Sequence, residues 1–269
     1  MPLAEVNRTI INYRFDGPEL GPVVMLSHSL ASDLTMWDMQ IPALVEVGYR
    51  VLRYDSRGHG QSAVSEGPYS LELLTEDAVG LMDKLGLEKV QFCGLSMGGM
   101  VGQMLATYYR NRLDSLVLSS TSACMPPREI WDERINTVRK NSMKAAVDAT
   151  IDRWFTKAGQ VHLPLDVDKI RRLILHTPVN GFCACCAAIR DMDQRDSIHS
   201  ISTKTLVVVG EHDSSTPVSA AELIHERITS SELLVIADAT HFVNVEKASV
   251  FNTALLKFLE KNIAQQEAS

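Results

Sequence analysis

At 269 residues the chain has room for one large α/β domain, or for a core carrying an insertion, and can bury a sizeable core without disulfides or a metal. Hydrophobic residues make up 45% and charged residues 22%, the balance of an ordinary globular protein. A net charge of −7 offers no basic face to nucleic acid, and no apolar run approaches the roughly 18 residues of a membrane span. In chain order, Ile10 to Phe15 reads as a strand, closed by the turn Asp16-Gly17-Pro18. Val23 to Ser27 is a short apolar run, as expected of a strand buried on both faces. Tyr49 to Tyr54 follows the stop at Gly48 as another strand. Leu71, Leu74, Ala78, Leu81, Met82 and Leu85 recur at helical spacing, and Gly86 ends that helix. Val90 to Cys93 is the next strand, a helix runs from about Met97 to Tyr109, and Leu113 to Ser119 is a further strand.

The alternation then stops. From about Ser122 to Ser200 the pattern is helical, with one face at Ile130, Ile135 and Val138, another opening at Met143, Ala146 and Val147, and a third at Ile170, Leu173 and Ile174. Alternation resumes with a strand at Thr205 to Val209, a helix near Ala220 to Arg227, a strand at Leu233 to Ile236 and a last helix from about Lys247 to Lys261. The tail Ala264 to Ser269 is polar and expected to fray. Alternating units imply a mainly parallel, doubly wound sheet, with ligands held at the carboxyl ends of its strands. The expected division is an α/β core of residues 1–121 and 201–269, interrupted by a helical cap of residues 122–200 between two late strands.

Gly94-Leu95-Ser96-Met97-Gly98-Gly99 carries G-x-S-x-G directly after one strand and before a helix. A nucleophilic serine needs this tight turn to project its hydroxyl into a cleft, and glycines keep side chains out of the crowding. The Met97 amide is then free at a helix N-terminus to donate to an oxyanion. A phosphate loop is disfavoured, since G-x-x-x-x-G-K-[ST] is missing. A second donor is expected from the loop His28-Ser29-Leu30-Ala31-Ser32, and by position it is the Leu30 amide. His28 is expected to shape that loop rather than act as a base.

A serine hydroxyl needs a base, and chain order discriminates among the 8 histidines. Where a G-x-S-x-G serine is the nucleophile, the order is serine, acid, histidine. His241, in a loop after the strand Leu233–Ile236, is the expected base. Asp213, in Gly210-Glu211-His212-Asp213 after the strand Thr205–Val209, is the expected acid, with Glu211 its nearest competitor. The loop one strand earlier, Ser119-Ser120-Thr121-Ser122, holds no carboxylate. His212 is expected to face solvent.

Asp55-Ser56-Arg57-Gly58-His59-Gly60-Gln61-Ser62 holds an acid, a histidine and a serine, too close in sequence to converge; a structural turn is the expectation. Trp131 and Trp154, two of 3 tryptophans, read equally as pocket lining or as cap core. Arg190 pairs with Asp191 or Asp193, or meets a substrate carboxylate. The odd count of 5 cysteines, with Cys183, Cys185 and Cys186 crowded together, is no disulfide framework and has no zinc spacing, so buried thiols in a reducing cytoplasm are expected. The first residues, Met1 to Arg8, lack the basic start and apolar run of a secretory leader.

His28 to Asp38, Asp55 to Ser62, Gly94 to Gly99, Gly210 to Pro217 and His241 to Glu246 together resemble the α/β-hydrolase superfamily along essentially the whole chain. Within it, Ser29 to Asp38, Gly94 to Gln103, Arg153-Trp154-Phe155-Thr156, Cys185 to Asp193 and His241 to Glu246 resemble the 3-oxoadipate enol-lactone hydrolases. Ser29 stands where a glycine usually follows the loop histidine, and Thr240 where one often precedes the catalytic histidine; both departures occur among enol-lactonase-like sequences. The resemblance implies hydrolysis of a small lactone bearing a carboxylate, in bacterial aromatic catabolism, by an acyl-enzyme on Ser96 with no metal or organic cofactor. An N-acyl-homoserine lactonase, a general carboxylesterase and a cofactor-free perhydrolase need the same three residues and stay open, as does a ligand receptor keeping the hydrolase shell. A dehalogenase or epoxide hydrolase would want an aspartate at position 96.

Overall fold

A computed structural model describes residues 2–267 of the chain. Among the described residues eight strands form one sheet: β1 (Leu3–Val6), β2 (Thr9–Asp16), β3 (Val23–Ser27), β4 (Arg50–Tyr54), β5 (Val90–Leu95), β6 (Leu113–Ser119), β7 (Thr205–Gly210) and β8 (Ser231–Ile236). Their order is β1-β2-β4-β3-β5-β6-β7-β8, with β1 and β2 antiparallel to their neighbours and the rest parallel. The strand order reverses beside β3, where chain connections leave to opposite sides and open a crevice at the strand ends.

The strand β1 was not foreseen. Its hairpin with β2 turns on Asn7 and Arg8, at φ 42° and 58°. Asparagine tolerates that conformation, but arginine is no turn signal, so the hairpin leaves no mark on the sequence. Helix α1 (Ile41–Glu46) is too short to show a period. Helix α2 (Leu71–Lys84) starts where Ser70 accepts from the Leu73 amide at 3.2 Å and stops before Gly86, at φ 67°. Helix α3 (Met97–Tyr108) is buried on nearly every side against the sheet, which its mostly apolar sequence allows.

Between β6 and β7 come α4 (Arg128–Asn141), α5 (Val147–Trp154), α6 (Lys157–His162), α7 (Pro164–His176) and α8 (Val179–Asp191). The buried stripe of α4 is Trp131, Ile135 and Val138, not the expected Ile130, which is 52% exposed. The spacing of four and three in Trp131, Ile135 and Val138 keeps them on one helical face, whereas Ile130 stands five residues before Ile135, about 140° around the helix. Cys183, Cys185 and Cys186 lie buried on α8, Cys93 is buried in β5, and Cys124 is only partly covered. The chain closes with α9 (Val218–Arg227), the short α10 (Val243–Glu246) and α11 (Ala248–Glu267). The last helix therefore continues past Lys261 through most of the tail expected to fray; Ala268 and Ser269 lie outside the described residues. Among the described residues no single helix is long and apolar enough to cross a membrane.

Candidate active site

Parallel register lines up the carboxyl ends of the central strands. Ser27 pairs with Gly94, Leu95 with Ser119, and Gly210 with Ile236. The loops leaving β3, β5, β7 and β8 carry Leu30, Ser96, Asp213 and His241, so all four emerge at one rim.

Ser96 turns the chain from β5 into α3 at φ 58° and ψ −114°. A non-glycine residue held there costs about 1–3 kcal/mol, and the surroundings must over-determine it. They do: the Ser96 amide donates to Ser119 O at 2.9 Å, the Gly98 amide to His28 O at 3.1 Å, and Thr121 Oγ1 to Ser96 O at 2.8 Å. A Cβ on Gly94 would overlap the Gly98 carbonyl, and one on Gly98 the Ser27 carbonyl, so the two glycines are steric necessities.

His28 shapes the neighbouring loop, as expected. It is fully buried; its Nε2 accepts from the Ser56 amide at 2.8 Å, which leaves Nδ1–H to donate to Ser29 O at 2.7 Å. His59 holds the same loop from the other side, its Nε2 accepting from the Ala31 amide at 3.0 Å. Burial pushes the His59 imidazole from the ordinary 6.5 down to about 3, so it stays a neutral acceptor. Asp55 fixes the turn by accepting from the Leu34 and Gln61 amides and from Asn12, and Arg57 pairs with buried Asp77 at 2.6 Å. These residues are structural. Ala31, Gly98 and Ser29 all spend their amides, whereas among the described residues neither the Leu30 nor the Met97 amide donates to a protein acceptor. Two N–H groups without a protein acceptor are thereby left beside Ser96.

Asp213 and His241 meet: Nδ1 of the imidazole lies 2.8 Å from Asp213 Oδ2. Asp213 Oδ1 accepts from the Ser215 and Thr216 amides at 2.8 and 2.9 Å, and Thr216 Oγ1 donates to Oδ2 at 2.8 Å. Burial alone would raise this carboxyl. The charge of His241 and these hydrogen bonds outweigh burial and hold it below the ordinary value. Glu211 instead accepts from the Asp238 amide on the surface, and His212 is 54% exposed. The Ser96 hydroxyl and the imidazole face one cavity without a direct hydrogen bond; such contacts are often long in unliganded enzymes and tighten around substrate.

That cavity is about 590 Å³, the size of a small-molecule site. Its floor is Ser29, Leu30, Ser96, Thr216 and His241; its roof comes from α4 and α5, including Trp131 and Trp154. Both tryptophans are thus lining residues. The Trp131 indole N–H is spent on Met125 O at 3.0 Å, so it offers its ring. Trp154 stacks on Phe242 with ring centroids 4.1 Å apart, beside His241.

Of the two expectations for Arg190 the structure takes the salt bridge, with Asp191, and corrects the substrate contact. Arg190 binds Asp132 at 2.5 Å and Asp191 at 2.8 Å, over a separate cleft, and does not reach the cavity. The arginines that line the cavity are Arg134 and Arg153. Also unforeseen is Glu246: its Oε1 accepts from the Thr156 amide at 2.8 Å and hydroxyl at 2.6 Å, its Oε2 from the Thr240 amide at 2.9 Å. One carboxylate ties the start of α6 to the residue before His241. The only sequence signal was its place in the stretch His241 to Glu246. On the surface, Glu211, His212 and Asp238 bring ligand atoms within 4.8 Å of one another, an exposed arrangement common without any ion.

A serine on a strand-to-helix elbow and an aspartate–histidine pair at one rim of a doubly wound sheet define a class. The chain belongs to the α/β-hydrolase fold family, whose model matches residues 22–248. It is 34% identical over 245 residues to 3-oxoadipate enol-lactonase 2 of Acinetobacter baylyi, covering 91% of each chain. Its structure superposes on the crystal structure of the enol-lactonase from Burkholderia xenovorans LB400 with a TM-score of 0.94 at 38% identity, over 96% of this chain and 100% of that one. A thermophilic esterase from Thermogutta terrifontis, solved with malate bound, follows at a TM-score of 0.91 and 30% identity over 97% and 98% of the two chains. Fold and kinship together are those of a carboxylic ester hydrolase.

Proposed function

We propose that the chain hydrolyses a small lactone or carboxylic ester through an acyl-enzyme on Ser96, with an enol-lactone like that of its 3-oxoadipate enol-lactonase relatives as the best candidate substrate. The observation that carries the reading is the convergence on one cavity of Ser96 at its elbow, His241 held by Asp213, and two uncommitted amides at Leu30 and Met97. Ser96 Oγ attacks the ring carbonyl as His241 Nε2 takes its proton. Asp213, bound to Nδ1–H, fixes the tautomer and stabilises the imidazolium. The carbonyl oxygen becomes an oxyanion between the Leu30 and Met97 amides, each such donor contributing about 2.7–4 kcal/mol to the barrier reduction in comparable sites. Collapse breaks the bond to the ring oxygen, which takes the proton from His241 and stays tethered to the acyl group. His241 then deprotonates a water that attacks the acyl-enzyme, and the second collapse releases Ser96 and a carboxylate product. The helices between β6 and β7 act as a cap that excludes water from these steps.

Five free cysteines, four of them buried, fit a reducing compartment such as the cytoplasm. A homoserine-lactone, general ester or peracid activity would run on the same residues and differ only in what the cap admits. The decisive experiment ranks lactones, esters and peracid formation by kcat/KM and repeats the best with Ser96→Ala. Loss of turnover and of fluorophosphonate labelling, with the circular dichroism unchanged, is expected. A Ser96→Ala protein that still turns over near normally refutes the assignment.

A further inference from the structure

The nucleophile, the acid and the base are held by different parts of the chain. Ser96 and Asp213 follow β5 and β7, and strand and turn hydrogen bonds fix their loops. The residues on either side of His241 are gripped from the helices between β6 and β7. The Phe242 amide donates to Trp154 O at 3.1 Å, and the Phe242 ring lies against the Trp154 indole with centroids 4.1 Å apart and planes 15° from parallel. Thr240 is reached through Glu246, which accepts from the Thr240 amide on Oε2 and from the Thr156 amide on Oε1. Trp154, Phe155 and Thr156 are consecutive, so one short segment holds the base loop before and after the imidazole. On the core side that loop is tied by the His212 amide to Ala239 O, by Asn244 to Met36 O and by the Asp213 carboxylate.

The grip is closely packed. Phe155 and Phe242 are fully buried and Trp154 nearly so, and Phe155 meets Phe242 with centroids 5.9 Å apart. A Cβ on Gly159, in the first turn of α6, would overlap Glu246 Oε1, so α6 approaches that carboxylate as closely as a glycine allows. Packing of this density transmits a displacement rather than absorbing it. The Trp154 indole also lies beside His241 itself, with centroids 6.1 Å apart and planes 27° from parallel, and it borders the cavity.

We propose that Trp154 is a positioning residue for the base: through Phe242 it sets where the His241 imidazole lies, so that seating of α5 on a substrate completes the reach from His241 to Ser96. The proposal rests on the hydrolase reading of this cavity and adds its control. Ser96 and His241 face the cavity without a direct hydrogen bond, a gap that a small movement closes. Helix α5 is both a wall of the cavity, through Thr150 and Trp154, and the anchor of the base loop. A substrate that fills the roof therefore acts on the base as well as on its own binding. Binding energy from parts of the substrate remote from the reacting bond is spent on orientation, and it appears in kcat rather than in KM.

The test uses Trp154→Leu, which keeps apolar bulk but loses the flat face, and Trp154→Phe, which keeps a face for Phe242. In Trp154→Leu, kcat should fall about a hundredfold, the cost of about an ångström of misplacement, with far less change in KM. Labelling of Ser96 by diisopropyl fluorophosphate, a small reagent that still needs the base, should slow in parallel. Trp154→Phe should restore most of both. Phe242→Leu breaks the same stack from a residue that is not among those lining the cavity, and should repeat the effect if Trp154→Leu does not fold. Across vinyl esters of lengthening acyl chain the wild type should improve in kcat as well as in KM, and Trp154→Leu in KM only. A residue that merely lines the pocket would raise KM and leave the labelling rate untouched. Without any substrate, the Nδ1–H proton that His241 donates to Asp213 should give a slowly exchanging low-field resonance in the wild type and in Trp154→Phe, lost to exchange in Trp154→Leu and Phe242→Leu. Folded Leu variants with wild-type kcat, labelling rate and low-field proton overturn the inference and leave the hydrolase reading standing, as does a gain in kcat with chain length that survives in Trp154→Leu. If no ester or lactone is turned over through Ser96, the hydrolase reading fails, and the low-field proton alone decides: its loss in both Leu variants upholds the grip on His241, and its retention overturns it.

Discussion

Mild acid should loosen this protein through His59. The imidazole is fully buried and sits between the Ala31 amide at Nε2, the Arg57 carbonyl, the His28 ring with centroids 5.2 Å apart, and the Cys185 thiol 3.9 Å from Nδ1. None of these groups welcomes a proton on Nε2, and protonation would turn an N–H acceptor into a donor facing a donor. The folded value of about 3 lies below the ordinary 6.5. The unfolded chain therefore takes up the proton first, and stability present above pH 6.5 is lost as pH falls toward 3. At about pH 4.5 the acid has travelled about two pH units below the unfolded value, which costs about 2.7 kcal/mol. A protein whose whole stability is about 5–15 kcal/mol would feel that strongly. Urea unfolding at pH 7 and at about 4.5 measures the loss, and His59→Gln, whose carbonyl still accepts from Ala31, isolates it. The wild type should lose about 2.7 kcal/mol more than the variant over this interval. Parallel curves for the two proteins would refute the reasoning, as would an imidazole resonance of His59 that titrates near 6.5.

Three further outcomes follow from the site. Asp213→Asn should keep the fold yet lower kcat by about 10⁴, because an amide at this position stabilises the wrong imidazole tautomer; activity within tenfold of the wild type would name another carboxylate as the orienting group. Gly98→Ala forces a Cβ onto the Ser27 carbonyl, so it should cost about 3 kcal/mol in thermal or urea unfolding and remove most fluorophosphonate labelling. Unchanged stability and labelling would mean the elbow can relax. Glu246→Gln breaks one side of the link between Thr156 and Thr240, and should lower kcat by about ten- to a hundredfold with little change in KM, since the base loop loses its anchor while the pocket wall remains; a pure KM effect would assign Glu246 to binding instead.

What could be read without coordinates was whatever is encoded in a few adjacent residues. The elbow is local: two glycines, a serine and a strand-to-helix switch state their geometry by themselves. Strands β3, β5, β6 and β7 are buried on both faces, so their apolar runs stand out. The hairpin of β1 and β2 does not, since its turn uses Arg8 at a positive φ. The stripe of α4 was misread at Ile130, which lies five residues before Ile135 and so about 140° around the helix, whereas Trp131 at four residues shares the face that packs on α8. Chain order left only His225 and His241 after Asp213, and the place of His241 in a loop after a late strand chose between them. The same order says nothing of Thr216, which reaches the Asp213 carboxylate through its hydroxyl.

The residues that line the pocket were the least legible part of the site, for a physical reason. Arg190 attracted attention because it interrupts an apolar run, but a charge at the end of a buried helix is satisfied most simply by acids nearby, here Asp191 and Asp132. Arg134 and Arg153 sit on separate helices among other charged residues, and in one dimension they look like solvated faces. Only the turn at Ser142, with φ 62°, folds α5 back so that both side chains border the cavity above Ser96. Bond-breaking groups must be held by a rigid sheet rim and so carry local motifs. Side chains that line the rest of the cavity belong to helices whose mutual placement decides its shape, and a lone arginine on either helix has no motif until the other stands beside it.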